Sequence, residues 1–332
     1  MPQFSGFEER ITVSRPAIPV SGDLAPPASL LYLWVSILKE PETMILMTGA
    51  AGPTGLAILR QLALRDADVR ILSRSEEGAA RAKAAGASEA VLGDFRSDSD
   101  LKTAMAGVDR VYHIGPRFQG DEYEIGVRMI DAAKAEGVSQ FAFHSLVHPQ
   151  CSQLLHHWEK LRVEEYLIES LVPYTILSPT MYMQNINVEW PSILETGIYR
   201  RFYSVDIPLS VVDLDDVGEA AAIMLTEEGW TGGAFELCSP APLSHADMAT
   251  VFADVMGRDI RAEKADIQIW IDAARKRGQD EYSIEGFVKM CAHYDQYGLP
   301  GGNGKVLGMI LDRKPNDYRA FAEKWVAAHP PA

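Results

Sequence analysis

From residue 44 onward, short apolar runs alternate with longer stretches of helical periodicity. The runs Met44–Thr48, Asp68–Ser73, Glu89–Leu92, Arg110–Ile114, Phe141–Ser145, Tyr174–Leu177 and Ala234–Leu237 predict strands. Between them, Leu56–Leu64, Gly78–Ala84, Ser99–Ala106, Tyr123–Ala135 and Trp158–Glu169 predict helices. Short β-rich runs separated by helices of about 10–15 residues mark βαβ units. Crossovers of one hand then force a doubly wound parallel sheet. The rhythm stops after residue 240. There Ser244 and Asp247 predict a cap for a helix over Ala246–Val255, and further helices are expected at 266–276, 281–297 and 317–327. The expected architecture is α/β: a doubly wound sheet over residues 44–240 and a smaller, mainly helical C-terminal cap over 241–332.

Residues 1–43 follow neither period and carry prolines at 2, 16, 19, 26, 27 and 41. The apolar run Leu30–Leu38 is far short of the roughly 20 residues that cross a bilayer, and no small-residue cleavage site follows it. Two readings stand. In one, the segment is a genuine arm that packs this run on a neighbour. In the other, Met44 is the true start. Lys39-Glu40 can be encoded AAG GAG, a bacterial ribosome-binding sequence placed just upstream of the Met44 codon.

Composition narrows the function classes. The 332 residues carry a net charge of −15, which disfavours direct binding to a phosphate backbone. Residues 1–43 hold three basic and five acidic residues, so the acidity belongs to the folded part. Three cysteines, Cys151, Cys238 and Cys291, lie far apart with no CxxC, as expected of a reducing cytoplasm. No membrane association is expected, and an oligomer is compatible with everything above.

The strongest chemical signal is Thr48-Gly49-Ala50-Ala51-Gly52-Pro53-Thr54-Gly55, placed between a strand and a helix. One glycine permits the turn, one lets backbone approach a pyrophosphate, and one allows close helix–strand packing. Exposed N–H groups and the helix dipole then hold the phosphate charge. Gly49, Ala51, Gly52, Pro53, Thr54 and Gly55 are therefore the expected dinucleotide-binding residues. At the end of the second strand stands Arg74, flanked by Ser73 and Ser75, where an NAD site usually carries a carboxylate. A guanidinium there suits a 2′-phosphate, so NADP(H) is preferred over NAD(H). A plain solvated arginine is the alternative. No G-x-S-x-G elbow is present, which sets a serine hydrolase aside.

The GxxGxxG spacing of Gly49–Gly55 resembles that of short-chain dehydrogenase/reductases. Further segments resemble the NmrA-like branch of the atypical short-chain family, namely Leu92-Gly93-Asp94-Phe95, Leu101–Asp109, Ile130–Val138, Lys160–Glu165, Pro173–Pro179, Met183-Gln184-Asn185, Val212–Val217 and Arg313-Lys314-Pro315. The resemblance covers about residues 44–325 and implies a Rossmann-like fold. It implies that Asp94 and Phe95 border the adenine and that Gly115 and Pro116 border the middle of the cofactor. Asp94 can equally cap a turn, and Pro116 can simply end a strand.

In the same family the usual catalytic set is a strand-end serine and Tyr-x-x-x-Lys, whose i, i+4 spacing puts both groups on one helix face. Here Ser145 ends the fifth strand, Lys160 matches the lysine that binds the nicotinamide ribose, and the tyrosine position holds His156. Histidine can act as general acid or base near neutral pH. Ser145, His156 and Lys160 are the expected catalytic residues. Histidines 144, 148, 156 and 157 with Glu159 match no standard zinc spacing, so no metal is expected.

His144, Met183 and Asn185 are the expected substrate-pocket residues. Residues 181–205 should contribute to the crevice, with Met181 and Tyr182 as an apolar wall or as plain core. Asp213–Asp216 should cap a helix over Val217–Leu225. Trp270, Tyr282, Tyr294 and Tyr297 could reach the pocket, and Gly298–Gly304 is a possible lid. Two functions compete. One is an NADP(H)-dependent oxidoreductase acting on a small carbonyl, quinone or enone. The other is a non-catalytic NADP(H) redox sensor that binds a regulatory protein partner.

Overall fold

The structure is a computed structural model that describes residues 43–330. The two readings of the N-terminal segment lie outside the described residues. The chain forms strands β1 (Met44–Met47), β2 (Asp68–Ser73), β3 (Glu89–Leu92), β4 (Arg110–His113), β5 (Gln140–His144) and β6 (Tyr174–Pro179), each bounded by turns or helices. Then come β7 (Met181–Tyr182), β8 (Ile198–Arg201), β9 (Val211–Val212), β10 (Gly233–Leu237) and β11 (Arg261–Lys264). Strands β1–β6 and β10 make a seven-stranded sheet of order β3-β2-β1-β4-β5-β6-β10, parallel at every pairing. The order reverses between β1 and β4. In doubly wound sheets this switch point opens a crevice at the carboxyl ends of the strands.

The helices are α1 (Pro53–Ala63), α2 (Glu76–Ala84), α3 (Asp98–Met105), α4 (Glu122–Glu136), α5 (Leu155–Glu169), α6 (Trp190–Thr196) and α7 (Leu214–Thr226). After them come α8 (His245–Met256), α9 (Ile267–Lys276), α10 (Glu281–Tyr297), α11 (Gly304–Leu311) and α12 (Tyr318–Ala328). Strand alternation divides the core between the two sheet faces. Ile45, Met47, Val69, Ile71, Tyr112 and Ala142 pack on one face with residues of α1, α7 and α11. Leu46, Leu72, Val111, Phe141 and Phe143 pack on the other with α3, α4 and α5. Among the described residues no helix is long and apolar enough to cross a membrane.

The C-terminal region is helical, as expected, and its chain crosses between layers. Leu307, Ile310 and Leu311 of α11 join the sheet core beside Ile58 and Leu62. Conversely, Met183, Ile186, Trp190 and Tyr199 leave the sheet to make a separate core with Met248, Phe252, Tyr318 and Phe321. Parallel pairing of β8 with β11 ties the two parts of that lobe together. A boundary drawn at residue 240 therefore does not separate the packed layers.

A buried acidic hub clamps these parts. The Asp213 side chain caps α7 by accepting from Asp215 N, and its carboxylate also accepts from Gln184 Nε2 at 2.6 Å and Asn316 Nδ2 at 3.0 Å. Asp216, with a fully buried side chain, accepts from Arg313 Nη2 and from Asn316 N, both at 2.7 Å. The helix start, the 183–188 turn and the chain before α12 thus share two carboxylates. Replacing Asp216 by alanine leaves Asn316 N and Arg313 without this acceptor. A loss of about 2 kcal/mol in urea unfolding is expected; a change below about 0.5 kcal/mol, the size of an ordinary surface substitution, would contradict the clamp.

Candidate active site

The glycine loop runs from β1 into α1. Gly49 has φ +65°, and a Cβ there would lie 2.7 Å from Ile114 Cβ. A Cβ on Gly55 would lie 2.5 Å from Ala50 Cα and from Gly49 O. Only glycine fits either place. A Cβ on Gly52 would instead meet nothing nearer than Gly49 O at 3.5 Å, so this backbone faces open space. Gly52 caps α1 without a side chain, and Pro53 fills the first helical position. The first-turn N–H groups of Thr54 and Gly55 have no intrahelical partner and point outward. An open glycine backbone at a helix N-terminus fits a pyrophosphate.

Ser75 caps α2, and Ser73 Oγ donates to Ser75 O at 2.9 Å, which shapes the turn holding Arg74. Gly78 brings α2 close to this turn and to Ala51. Arg74 is exposed and has no ion-pair partner among the described residues. Asp94 spends one carboxylate oxygen on an Asx turn, accepting from Arg96 N at 2.9 Å, which is the turn reading of that residue. Phe95 lies beside it, half-buried, with the Arg96 guanidinium 5.2 Å from its ring centre.

Lys160 is the electrostatic centre of the crevice. Its ammonium lies 2.9 Å from Glu122 Oε1, donates to His144 O at 3.0 Å and sits 5.1 Å from the Phe143 ring centre. Glu122 is 1% exposed, and its Oε2 has no hydrogen-bond partner among the described residues. Burial holds the Glu122 carboxyl above its ordinary range while Lys160 pulls it back down. Gly115 packs close to the pair: a Cβ there would lie 3.2 Å from Glu122 Oε1. Pro116 follows, half-buried.

His156 shares the α5 face of Lys160 but is 6% exposed. Its ring lies between Phe118, 4.5 Å away, and His157, 4.4 Å away, and Nδ1 has no partner. Burial first, then His157 and the nearby cations, pushes its pKa down to about 2. The imidazole is thus neutral at neutral pH. Ser145 is buried, and its hydroxyl donates to Glu164. The serine, histidine and lysine do converge at the end of β5, yet each has an internal partner or cover.

His144 is held between two tyrosines. Its Nδ1 lies 2.6 Å from the Tyr112 hydroxyl and its Nε2 2.6 Å from that of Tyr182. Met183 is 2% exposed and packs in the core of the C-terminal lobe. Asn185 stays half-buried beside it. Trp270 stacks on Phe287 at 3.8 Å, Tyr294 is buried against Tyr203, and Tyr297 is exposed. Tyr282 meets Gly120 of the 115–121 loop, and Ser283 Oγ donates to Phe118 O at 2.7 Å. The Gly298–Gly304 segment is stitched down through Gly301 N to Ser210 Oγ at 3.0 Å and Asn303 N to Glu236 at 2.8 Å. Sequence reasoning missed Glu122, Tyr112, Phe118 and Glu164. An acid in the first turn of a helix reads as a solvated dipole partner, so Glu122 gave no signal.

A family model described as NmrA-like family matches residues 41–318. The chain belongs to the NmrA-like family. A (4-alkanoyl-5-oxo-2,5-dihydrofuran-3-yl)methyl phosphate reductase of Streptomyces griseus is 32% identical over 297 residues, 86% of this chain and 98% of that protein. The fold resembles the crystal structure of an NADPH-dependent quinone oxidoreductase from Escherichia coli complexed with NADPH, with a TM-score of 0.73 and 22% identity, covering 85% and 99% of the two chains. It also resembles Nmra, a negative transcriptional regulator in complex with NAD, with a TM-score of 0.70 and 17% identity, covering 87% and 97%. The NmrA-like fold thus carries both reductases and a regulator.

Four crevice histidines make a testable acid sensitivity. Burial pushes His113 and His144 down to about 3, His156 to about 2 and His157 to about 4. An unfolded histidine titrates near 6.5, so below that pH the unfolded chain binds protons that the folded chain does not. Stability therefore falls as pH falls, by up to about 1.4 kcal/mol per pH unit per histidine. Glu122 and Glu164, both raised by burial, oppose this but are outnumbered. Denaturant unfolding should show a loss on the order of 4 kcal/mol from pH 7.5 to 5.5. Stability that is flat or rising over that range would contradict neutral, buried imidazoles.

Proposed function

We propose that this chain is an NADP(H)-dependent oxidoreductase acting on a small conjugated carbonyl compound, an enone or a quinone. The observation that carries the reading is the pairing of two features at one sheet end. The open backbone at Gly52, with the unpaired first-turn N–H groups of Thr54 and Gly55 beside it, suits a pyrophosphate. Across the switch point, Lys160 donates to His144 O and forms an ion pair with Glu122, which leaves donor capacity for a ribose hydroxyl. These are the two anchors a dinucleotide needs. Arg74, beside the loop, favours the 2′-phosphate of NADP(H). The reductase from Streptomyces supports a reaction at a conjugated carbonyl. The cytoplasm is the proposed setting.

When bound, the reduced nicotinamide supplies a hydride. The chain's own residues do the remaining work. Loop N–H groups hold the pyrophosphate, and Lys160 orients the ribose so that the reactive face meets the crevice. Asp94, Phe95, Gly115 and Pro116 border the cofactor in this reading, and Asn185 faces the substrate. His156, the sequence-based candidate for acid or base, is a neutral imidazole that cannot hold a second proton near pH 7. The role open to it is donation of one N–H. The second reading, a redox sensor that binds a protein partner, draws on histidine in the tyrosine position and on the fold shared with the regulator.

Titration of nicotinamide fluorescence should show binding of one NADPH per chain. Affinity should exceed that for NADH by about tenfold or more, and Arg74→Ala should abolish that preference. NADPH consumption at 340 nm across enones and quinones should then reveal turnover. His156→Ala and His156→Tyr should each stay within about tenfold of wild type, below the loss typical of a lost general acid. Tight binding with no turnover on any of these compounds would favour the sensor. No NADPH binding would remove both readings.

A further inference from the structure

We propose that Tyr182 donates a hydrogen bond to the carbonyl oxygen of the substrate, and that His144 and Tyr112 are positioning residues that free its proton for this task. The proposal rests on the reductase reading above. Counting hydrogens along the chain of three rings leads to it.

Tyr112 is fully buried on β4, and its hydroxyl meets only His144 Nδ1 among the described residues. Tyr112 pairs in register with Ala142, and His144 stands two residues further along β5 on the same face. The two side chains are therefore neighbours by strand geometry. His144 is 4% exposed, and burial pushes its pKa down to about 3, so it carries a single N–H. Two arrangements are possible. If Nδ1 carries the hydrogen, the Tyr112 proton is buried without an acceptor, which costs about 1–3 kcal/mol. If Nε2 carries it, Tyr112 donates to Nδ1 and Nε2–H donates to the Tyr182 oxygen. Every buried donor is then satisfied. The second arrangement leaves the Tyr182 proton uncommitted to either ring.

The Tyr182 hydroxyl is also well placed. It lies 2.6 Å from His144 Nε2, the residue whose carbonyl anchors Lys160. The Thr54 hydroxyl, in the first turn of α1, donates a hydrogen bond to the Tyr182 oxygen, which pulls the Tyr182 pKa down against the effect of burial. Tyr182 thus spans from the end of β5 to the pyrophosphate loop, across the switch point where the reacting carbon must sit. The residue as a whole is half-buried, with its hydroxyl end in the interior beside the Thr54 side chain. Its pKa is raised to about 12 by burial, so it stays protonated and works as a preorganised donor.

The step balances as follows. The electrophilic carbon of the substrate accepts the hydride and forms a C–H bond. The π pair of the conjugated system moves onto the carbonyl oxygen, and the cofactor departs oxidised by two electrons. Tyr182 O–H meets the developing negative charge, while Nε2–H of His144 steadies the phenol oxygen. A proton from water completes the product. Relay of the proton onward from Tyr112 is disfavoured, because it would leave a phenolate in the core.

The test uses the full chain with NADPH and two probes, 2-cyclohexen-1-one and 1,4-naphthoquinone. Tyr182→Phe should lower kcat by about a hundredfold or more, as expected for loss of one such donor, with the NADPH Kd unchanged within about threefold. Tyr112→Phe, which never touches substrate, should lower kcat by about tenfold with KM unchanged. Nitrogen-15 NMR of labelled histidine gives a readout free of turnover. Wild type should show His144 with hydrogen on Nε2, and Tyr112→Phe should lose that single tautomer. Turnover of Tyr182→Phe within about threefold of wild type would overturn the proposal and leave the reductase reading standing. A hydrogen on Nδ1 in wild type would overturn it as well. Bound NADPH with no turnover of either probe would sink the reductase reading, and the proposal with it.

Discussion

One buried ion pair sets the geometry of the crevice. Lys160 on α5 meets Glu122 at the start of α4 and the main chain at the end of β5, so three elements converge on one ammonium. An isolated charge could not stay there, because Glu122 is nearly without solvent. Its carboxyl group supplies a counter-charge to the lysine beside Phe143. The pair also explains its surroundings. Gly115 packs closely against the carboxyl group, and the loop that follows is carried to α10 through Phe118 and Ser283.

Around that charge stand neutral imidazoles, with Arg117 as a second nearby cation. Four histidines, each deprotonated by burial, line the strand ends, and Ser145 and Glu164 satisfy each other. The chain as a whole carries −15, so an anionic cofactor approaches an unfavourable overall field. On the proposed reading, the helix N-terminus after Gly55, Lys160 and, at the far end, Arg74 offset it locally. The low-charge interior helps, since a single lysine acts more strongly where water is excluded.

The strands of the sheet were legible because each is a short apolar run and the glycine loop marks its first crossover. Helix starts were legible where a cap announces them. Ser244 and Asp247 form a capping box at the start of α8; Asp213 caps α7, which starts at Leu214, three residues before the expected Val217. Other features depend on contacts between distant residues. Glu122 becomes a site residue only because Lys160 arrives from 38 positions further along the chain. Met183 and Tyr182 are adjacent in sequence, yet Met183 packs in the core of the C-terminal lobe while Tyr182 packs against the sheet core and meets His144, which no composition rule separates. The α11 helix follows directly on a glycine-rich segment, and that segment reads as a loop or lid until its bonds to Ser210 and Glu236 are seen. The histidine at 156 could be read as departing from the family's tyrosine, but its burial under Phe118 could not.

The central claim is that the Glu122–Lys160 pair presents one ammonium donor to a bound dinucleotide. A double-mutant cycle on NADPH affinity tests it most directly, with Glu122→Gln, Lys160→Met and the double variant. The account predicts that each single change weakens NADPH binding by about tenfold or more and that the double variant is no weaker than Lys160→Met alone, because Glu122 acts through the lysine. Unchanged affinity in Glu122→Gln, or losses that simply add in the double variant, would contradict it.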